Sequence, residues 1–155
     1  MSRFGLYVGK FLHILIGYGV ACFAVSAFVN VLFLGAADFT PEEMAWIVAS
    51  GPLVVSIPIG ALVIGYFAFL PAMATAVITE VLDRRDWLVH ALAGGAVALI
   101  VTGFSTGTDL TTLNWRLTGT PLGAIAAGIV GGIAYWLVTG RYAGSWRARD
   151  GSGNT

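Results

Sequence analysis

From Met44 to Thr79 the chain carries no charged residue, yet prolines interrupt this run at Pro52, Pro58 and Pro71. Glu42 and Glu43 precede it, and Glu80, Asp83, Arg84, Arg85 and Asp86 follow it. A straight helix from Trp46 to Leu82 would be about 55 Å long at 1.5 Å per residue. A bilayer core is about 30 Å thick, so one straight crossing cannot use that length. The stretch is expected to divide into a short cap helix outside, a proline-bent crossing, and a final turn or two emerging inside. Thr40, Pro41 and the two glutamates suit the start of the cap helix as N-cap, N1 proline and acidic first turn. Trp46 then stands where an interfacial aromatic belongs.

The remaining apolar runs repeat the same theme. Of 155 residues, 57% are hydrophobic and 10% are charged, and the mean hydropathy is +0.86. Soluble domains carry about 25% charged residues, so this chain cannot cover itself with a polar surface. Lipid is its expected solvent. The reading is all-α: a polytopic four-transmembrane-helix bundle with a proline-kinked second helix. Spans are expected at about 11–34, 52–82 (bent), 87–104 and 121–138, within a transmembrane domain covering 1–140. The first run follows Arg3 and Lys10 as a signal peptide would, but it continues to Leu34, too far for such a segment. Residues 141–155 form a basic tail, expected to be disordered at its end, with Arg141, Arg147 and Arg149 beside Tyr142 and Trp146. That tail suits anionic lipid head groups. Net charge is zero, which removes any basis for steering nucleic acid. Cys22 is the single cysteine, so neither an intrachain disulfide nor a zinc motif can be written.

Orientation follows from the basic residues. Arg3, Lys10, Arg84, Arg85, Arg141, Arg147 and Arg149 fall on one side of the expected spans, and only Arg116 on the other. The positive-inside rule puts both termini and the Asp83–Asp86 turn in the cytoplasm of a bacterial inner membrane. A turn that short makes the second and third spans antiparallel neighbours. In the outer loop, Leu110, Leu113 and Leu117 have the spacing of a short surface helix, with an extended polar loop as the alternative.

Small residues mark the faces where helices can approach. Gly9, His13, Gly17 and Ala21 share one face of the first span. Ser56, Gly60, Ala61, Gly65 and Ala68 offer small surfaces on the second. The fourth span has two stripes, Ala124, Gly128 and Gly132, and beside it Gly123, Ala127 and Gly131. They serve either packing within the bundle or contact with another subunit.

No Asp, Glu, Lys or Arg lies near the middle of any span, where a proton or ion carrier usually keeps one. No phosphate loop, nucleophile elbow or His-Glu zinc pattern can be written. What remains is an inner-face polar cluster of Glu80, Arg84, Arg85 and His90. His13 and His90 are expected at similar depth, each with a glycine four residues deeper, Gly17 and Gly94. Such a pair could ligate a b-type haem, or could simply be two hydrogen-bonded interfacial histidines.

The stretch from Leu70-Pro71-Ala72 through Glu80, Arg85 and Trp87 to Ala93-Gly94-Gly95 resembles a segment of small alphaproteobacterial inner-membrane proteins with four transmembrane helices. The resemblance implies an inner-membrane location and carries no activity with it. His90 departs from the pattern, which has an aromatic there.

The expected function is a non-catalytic accessory or oligomer-forming subunit of a membrane complex, without a required cofactor. A small transporter or channel working as an oligomer is the alternative, and a haem-bearing redox subunit the third reading. Expected partners are the bilayer, anionic lipids at the cytoplasmic face, and further copies or another membrane protein. The orientation has a direct check. Membrane-impermeant thiol reagents applied to intact cells should label Thr40→Cys and Thr112→Cys but not Ser145→Cys; labelling at 145 would reverse the topology.

Overall fold

A computed structural model describes residues 3–37, 39–82, 86–106 and 119–142. Among them are five α-helices and no strand: α1 (Arg3–Ala36), α2 (Pro41–Ala49), α3 (Pro52–Val81), α4 (Trp87–Thr106) and α5 (Gly119–Val138). A 3-10 turn, Gly140–Tyr142, follows α5. The expected surface helix at 110–117, the arginines of the Asp83–Asp86 turn and the basic tail beyond Tyr142 lie outside the described residues.

The cap helix forms as its residues dictate. The Glu43 N–H donates to Thr40 Oγ1 at 3.3 Å, and the Thr40 N–H donates back to the Glu43 carboxylate at 2.8 Å. This reciprocal capping box satisfies two donors that the helix start leaves open. The break between α2 and α3 is made by Gly51 at φ 84°, a left-handed conformation that glycine adopts without a Cβ clash. Pro52 then opens α3 at a position where its missing N–H costs nothing. Pro58 and Pro71 lie inside α3, and the helix continues through both.

The four long helices alternate in direction. Leu32 of α1 lies near Gly123 of α5, Val25 near Gly131, and Gly17 near Thr139, so these two run antiparallel. Gly94 of α4 meets Gly128 and Gly132 of α5, again antiparallel. α5 therefore carries α4 on one flank and α1 on another. α1 in turn holds α3, whereas α3 and α4 meet only loosely.

Two kinds of contact hold the bundle. Between α4 and α5 it is bare backbone: a Cβ on Gly94 would run into the Gly128 carbonyl, and one on Gly132 into the His90 carbonyl. Between α1 and α3 it is polar. Tyr18 Oη donates to the Gly65 carbonyl at 2.6 Å, and Ser26 Oγ to the Ile57 carbonyl at 2.8 Å. Ser56 Oγ donates to Asn30 Oδ1 at 2.8 Å, while Asn30 Nδ2 donates to the Ser26 carbonyl. Tyr18, Cys22, Ser26 and Asn30 are spaced by four, which places them along one face of α1.

Burial is the reverse of a soluble domain. Apart from Val97, the buried side chains among the described residues are small or polar, including Ala61, Ala68, Ala76, Ala91, Ala127, Ser26, Thr79 and His90. The large apolar side chains, among them Phe33, Leu62, Phe67, Leu70 and Leu92, point outward. Two helical stretches, Phe11–Ala36 and Pro52–Val81, are long and apolar enough to cross a membrane, and neither is buried as the core helix of a soluble protein would be. The apolar parts of α4 and α5, Trp87–Gly103 and Leu122–Val138, are shorter.

The α4–α5 contact can be tested with a single methyl group. Gly94→Ala should destabilise the fold by about 1–3 kcal/mol through overpacking against backbone that cannot yield. Gly19→Ala, where a Cβ meets nothing within 4 Å, should be neutral or slightly stabilising. Thermal unfolding in mild detergent checks the pair, and equal midpoints would sink the backbone-contact account.

Candidate functional site

Both histidines converge on the C-terminal end of α5. His13 reaches it from α1: its Nε2–H donates to the Val138 carbonyl at 3.0 Å, and Thr139 Oγ1 donates back to the His13 carbonyl at 3.0 Å. Val138 is the last residue of α5, so its carbonyl has no partner within the helix and the imidazole supplies one. Gly17 is the neighbour that permits this latch, since a Cβ there would strike Thr139.

His90 reaches the same end from α4 and is only 4% exposed. Its Nδ1 lies 3.0 Å from the Asp86 carbonyl, which can only accept, so Nδ1 carries the proton. The ring stacks on Tyr135, with centroids 5.8 Å apart and an interplanar angle of 24°. Nε2 is then a bare acceptor, and it is buried without a hydrogen-bond partner. Beside it stands Gly140, where a Cβ would lie 2.8 Å from Nε2 and 3.0 Å from Trp136 Cδ1. Glycine is needed there because a Cβ would crowd the edge of the imidazole and the Trp136 ring.

The two imidazoles share a depth, as their sequence positions suggest, but they are not a haem pair as they stand. Nε2 of His13 is held by Val138, and Nε2 of His90 faces the Gly140 backbone with no room for a macrocycle. Neither residue fits an axial ligand in this arrangement. Of the polar cluster, Glu80 is half-buried at the end of α3, and Arg84 and Arg85 lie outside the described residues.

The stripes of α5 are both used within the chain. Gly128 and Gly132 face α4, against Gly94 and His90. Gly131 faces Val25 and Ala21 of α1, and Gly123 lies near Leu32. Ala127, 2% exposed, is buried between the two stripes, and Ala124 faces the interior. Within the chain these residues pack against α1 and α4. The reason is geometric: α5 sits between two helices, and each neighbour takes one stripe.

The feature that sequence reasoning missed is a cavity of about 310 Å³ between the four long helices. Its wall is largely apolar and built from small residues, among them Ala72, Ala76, Ala93 and Gly94. Polar side chains are spread along it, with Thr75, Thr79, His90 and Tyr135 toward one end and Tyr18, Cys22 and Thr102 elsewhere. The hydroxyls of Thr75 and Thr79 donate to carbonyls of their own helix, at 2.8 Å to Ala72 and at 3.0 Å to Thr75 and Ala76. Their lone pairs remain available as acceptors. The threonines at spacing four and the small residues facing them were the available signal. Among the described residues no group of three or more His, Cys, Asp or Glu is placed to hold a metal ion.

Comparison of the chain with profiles of known protein families, with curated proteins and with solved structures finds no match.

The histidine geometry has a spectroscopic consequence. Protein expressed with ample haem should purify without a Soret band. A band that disappears in His13→Ala or His90→Ala would show that the helices rearrange to admit the macrocycle.

Proposed function

We propose that the chain is a four-span protein of a bacterial inner membrane, with both termini cytoplasmic, acting as a non-catalytic, oligomer-forming subunit. Its inside-out burial supports lipid as the solvent, because small residues line helix contacts and large apolar ones face the bilayer. α4 and α5 lie antiparallel along the same bundle as α1, so a bilayer that contains α1 contains them as well. Their apolar stretches of about 17 residues reach the lower limit for crossing. The basic tail, Arg84 and Arg85 then meet anionic head groups at the cytoplasmic face.

The observation that carries the subunit reading is Tyr66. It lies at the midpoint of α3 and is 80% exposed on the outer face, in line with Val54, Leu62 and Leu70. Tyrosine belongs at the membrane interface, where its hydroxyl meets water. At mid-bilayer lipid offers that hydroxyl no partner, and an unmet polar group there is costly. A parallel second copy presents its own Tyr66 at the same depth, and a tyrosine hydroxyl both donates and accepts. An α3-to-α3 contact thus satisfies the pair and gives the oligomer that the α5 stripes do not.

Leu62→Cys and Leu70→Cys should therefore form disulfide-linked dimers in native membranes, and Leu99→Cys on α4 should not. Tyr66→Phe should weaken the dimer about three- to tenfold, the worth of one hydrogen bond in a membrane. A chain that remains monomeric in native membranes and is unaffected by Tyr66→Phe would remove this reading. The transport alternative draws its support from the cavity alone.

A further inference from the structure

The cavity is long and narrow. It is bordered along α1 between Tyr18 and Val29, along α4 between His90 and Thr102, and along α5 between Ala124 and Tyr135. Each of these rows is about 17 Å long at 1.5 Å per residue. Spread over that length, 310 Å³ leaves a mean cross-section of about 18 Å². Carbon atoms in contact stand about 4 Å apart, so a single file of methylenes occupies roughly 16 Å². A ring or a branched chain is wider.

The wall also offers little to a polar guest. Tyr18 donates to the Gly65 carbonyl, Thr75 to Ala72, Thr79 to Thr75 and Ala76, and Thr102 to Ala98. His90 has Nδ1 on the Asp86 carbonyl and Nε2 sealed against Gly140. Among the described residues of the wall, only the Tyr135 hydroxyl is not engaged within the chain. A buried water needs about three polar partners, and a cavity lined by apolar groups stays dry and accepts apolar guests.

We infer that the cavity holds one unbranched hydrocarbon chain, lying lengthwise among the four long helices and bound by dispersion contact alone. The inference rests on the membrane reading given above. A methylene occupies about as much room as a water, roughly 30 Å³, so the space takes roughly ten chain carbons. Without a guest the wall atoms face a gap and forgo the contacts that a packed interior supplies; a chain of matching width restores them. A charged or strongly polar guest loses its hydration and finds no set of partners in exchange. The acyl tail of a lipid and a free hydrocarbon share the chemistry that the cavity selects.

The test compares two photoactivatable hydrocarbons of equal carbon number, decane and the cage hydrocarbon adamantane, each carrying a diazirine. The protein is purified in digitonin, whose rigid steroid body brings no flexible chain to compete. Decane should form adducts on inward residues such as Cys22, Met73 and Val97, whereas adamantane should mark only outward ones such as Leu62, Leu70 and Leu92. Ala72→Leu and Val97→Phe narrow the cavity midway from α3 and from α4. Each should cut the inward decane adducts about tenfold and leave the outward ones unchanged. If neither variant folds, the contrast between the two hydrocarbons in the unaltered protein still decides. A phosphatidylglycerol with a diazirine in one acyl chain, presented in vesicles, separates the sources: inward adducts from it assign a lipid tail, and inward adducts from decane alone assign a free hydrocarbon. Equal inward labelling by decane and adamantane, or none by decane in folded protein, would overturn the proposal. So would modification of Cys22 in folded protein by a charged, water-soluble thiol reagent, which requires a water-filled cavity. Failure here leaves the topology untouched, which the labelling of Thr40→Cys in intact cells decides separately.

Discussion

Everything in this bundle depends on how closely α5 lets its neighbours approach. At Gly94, Gly128 and Gly132 there is no side chain between two helices, and carbonyls stand where Cβ atoms would otherwise be. Dispersion attraction falls steeply with separation, so contact at backbone distance is the strongest apolar attachment that two helices can make. In lipid this matters more than in water, since burying leucine against leucine gains little when the surrounding tails are equally apolar. With α4 and α1 both fixed to it, α5 acts as the post of the assembly. The latch between His13, Val138 and Thr139 then fixes its lower end, and His90 packs against the same end from the other helix.

α3 is held differently, and its freedom follows from that. Its attachments are hydrogen bonds from one face of α1, at Tyr18, Ser26 and Asn30, aided by close approach at Gly60 and Gly65. Hydrogen bonds fix register, because each donor has one carbonyl to meet, but they fasten α3 on one side only. The loose seam toward α4 and the outward stripe through Tyr66 are two results of the same arrangement. The second gives the chain an uncommitted face.

Much of this was legible in the residues, for physical reasons. Thr40-Pro41 and Pro52 mark helix starts by their backbone chemistry, and they stand at the starts of α2 and α3. Gly9, His13, Gly17 and Ala21 signal a face by spacing, and the last three of them meet α5. α1 begins well before the expected Phe11 because hydropathy marks only the apolar part of a helix, while backbone hydrogen bonding continues past it. The polar face of α1 escaped notice although Tyr18, Cys22, Ser26 and Asn30 have the same spacing as the small stripe. Asn30 reads as an isolated interfacial residue until Ser56 is placed opposite it. The α5 stripes could be seen but not assigned, because spacing shows that something approaches and not whose helix it is. The cavity was invisible, since a gap depends on where four helices stop short of one another.

The two kinds of attachment also differ in when they become available. α1 and α3 both precede α4 and α5 in the chain, so the bonds of Tyr18, Ser26 and Asn30 can form while the C-terminal half is still being made. They need no other helix to complete them. The α4–α5 contact is likewise self-contained, a hairpin of two helices fitted backbone to backbone. What joins the halves is mainly the flank of α5 against α1, closed at the very end by Val138 and Thr139 on His13. Biogenesis on this plan is the docking of two finished pairs, and the last residues of α5 are the clasp. A truncation before Val138 would remove that clasp and leave only the flank of α5 against α1 to join the halves.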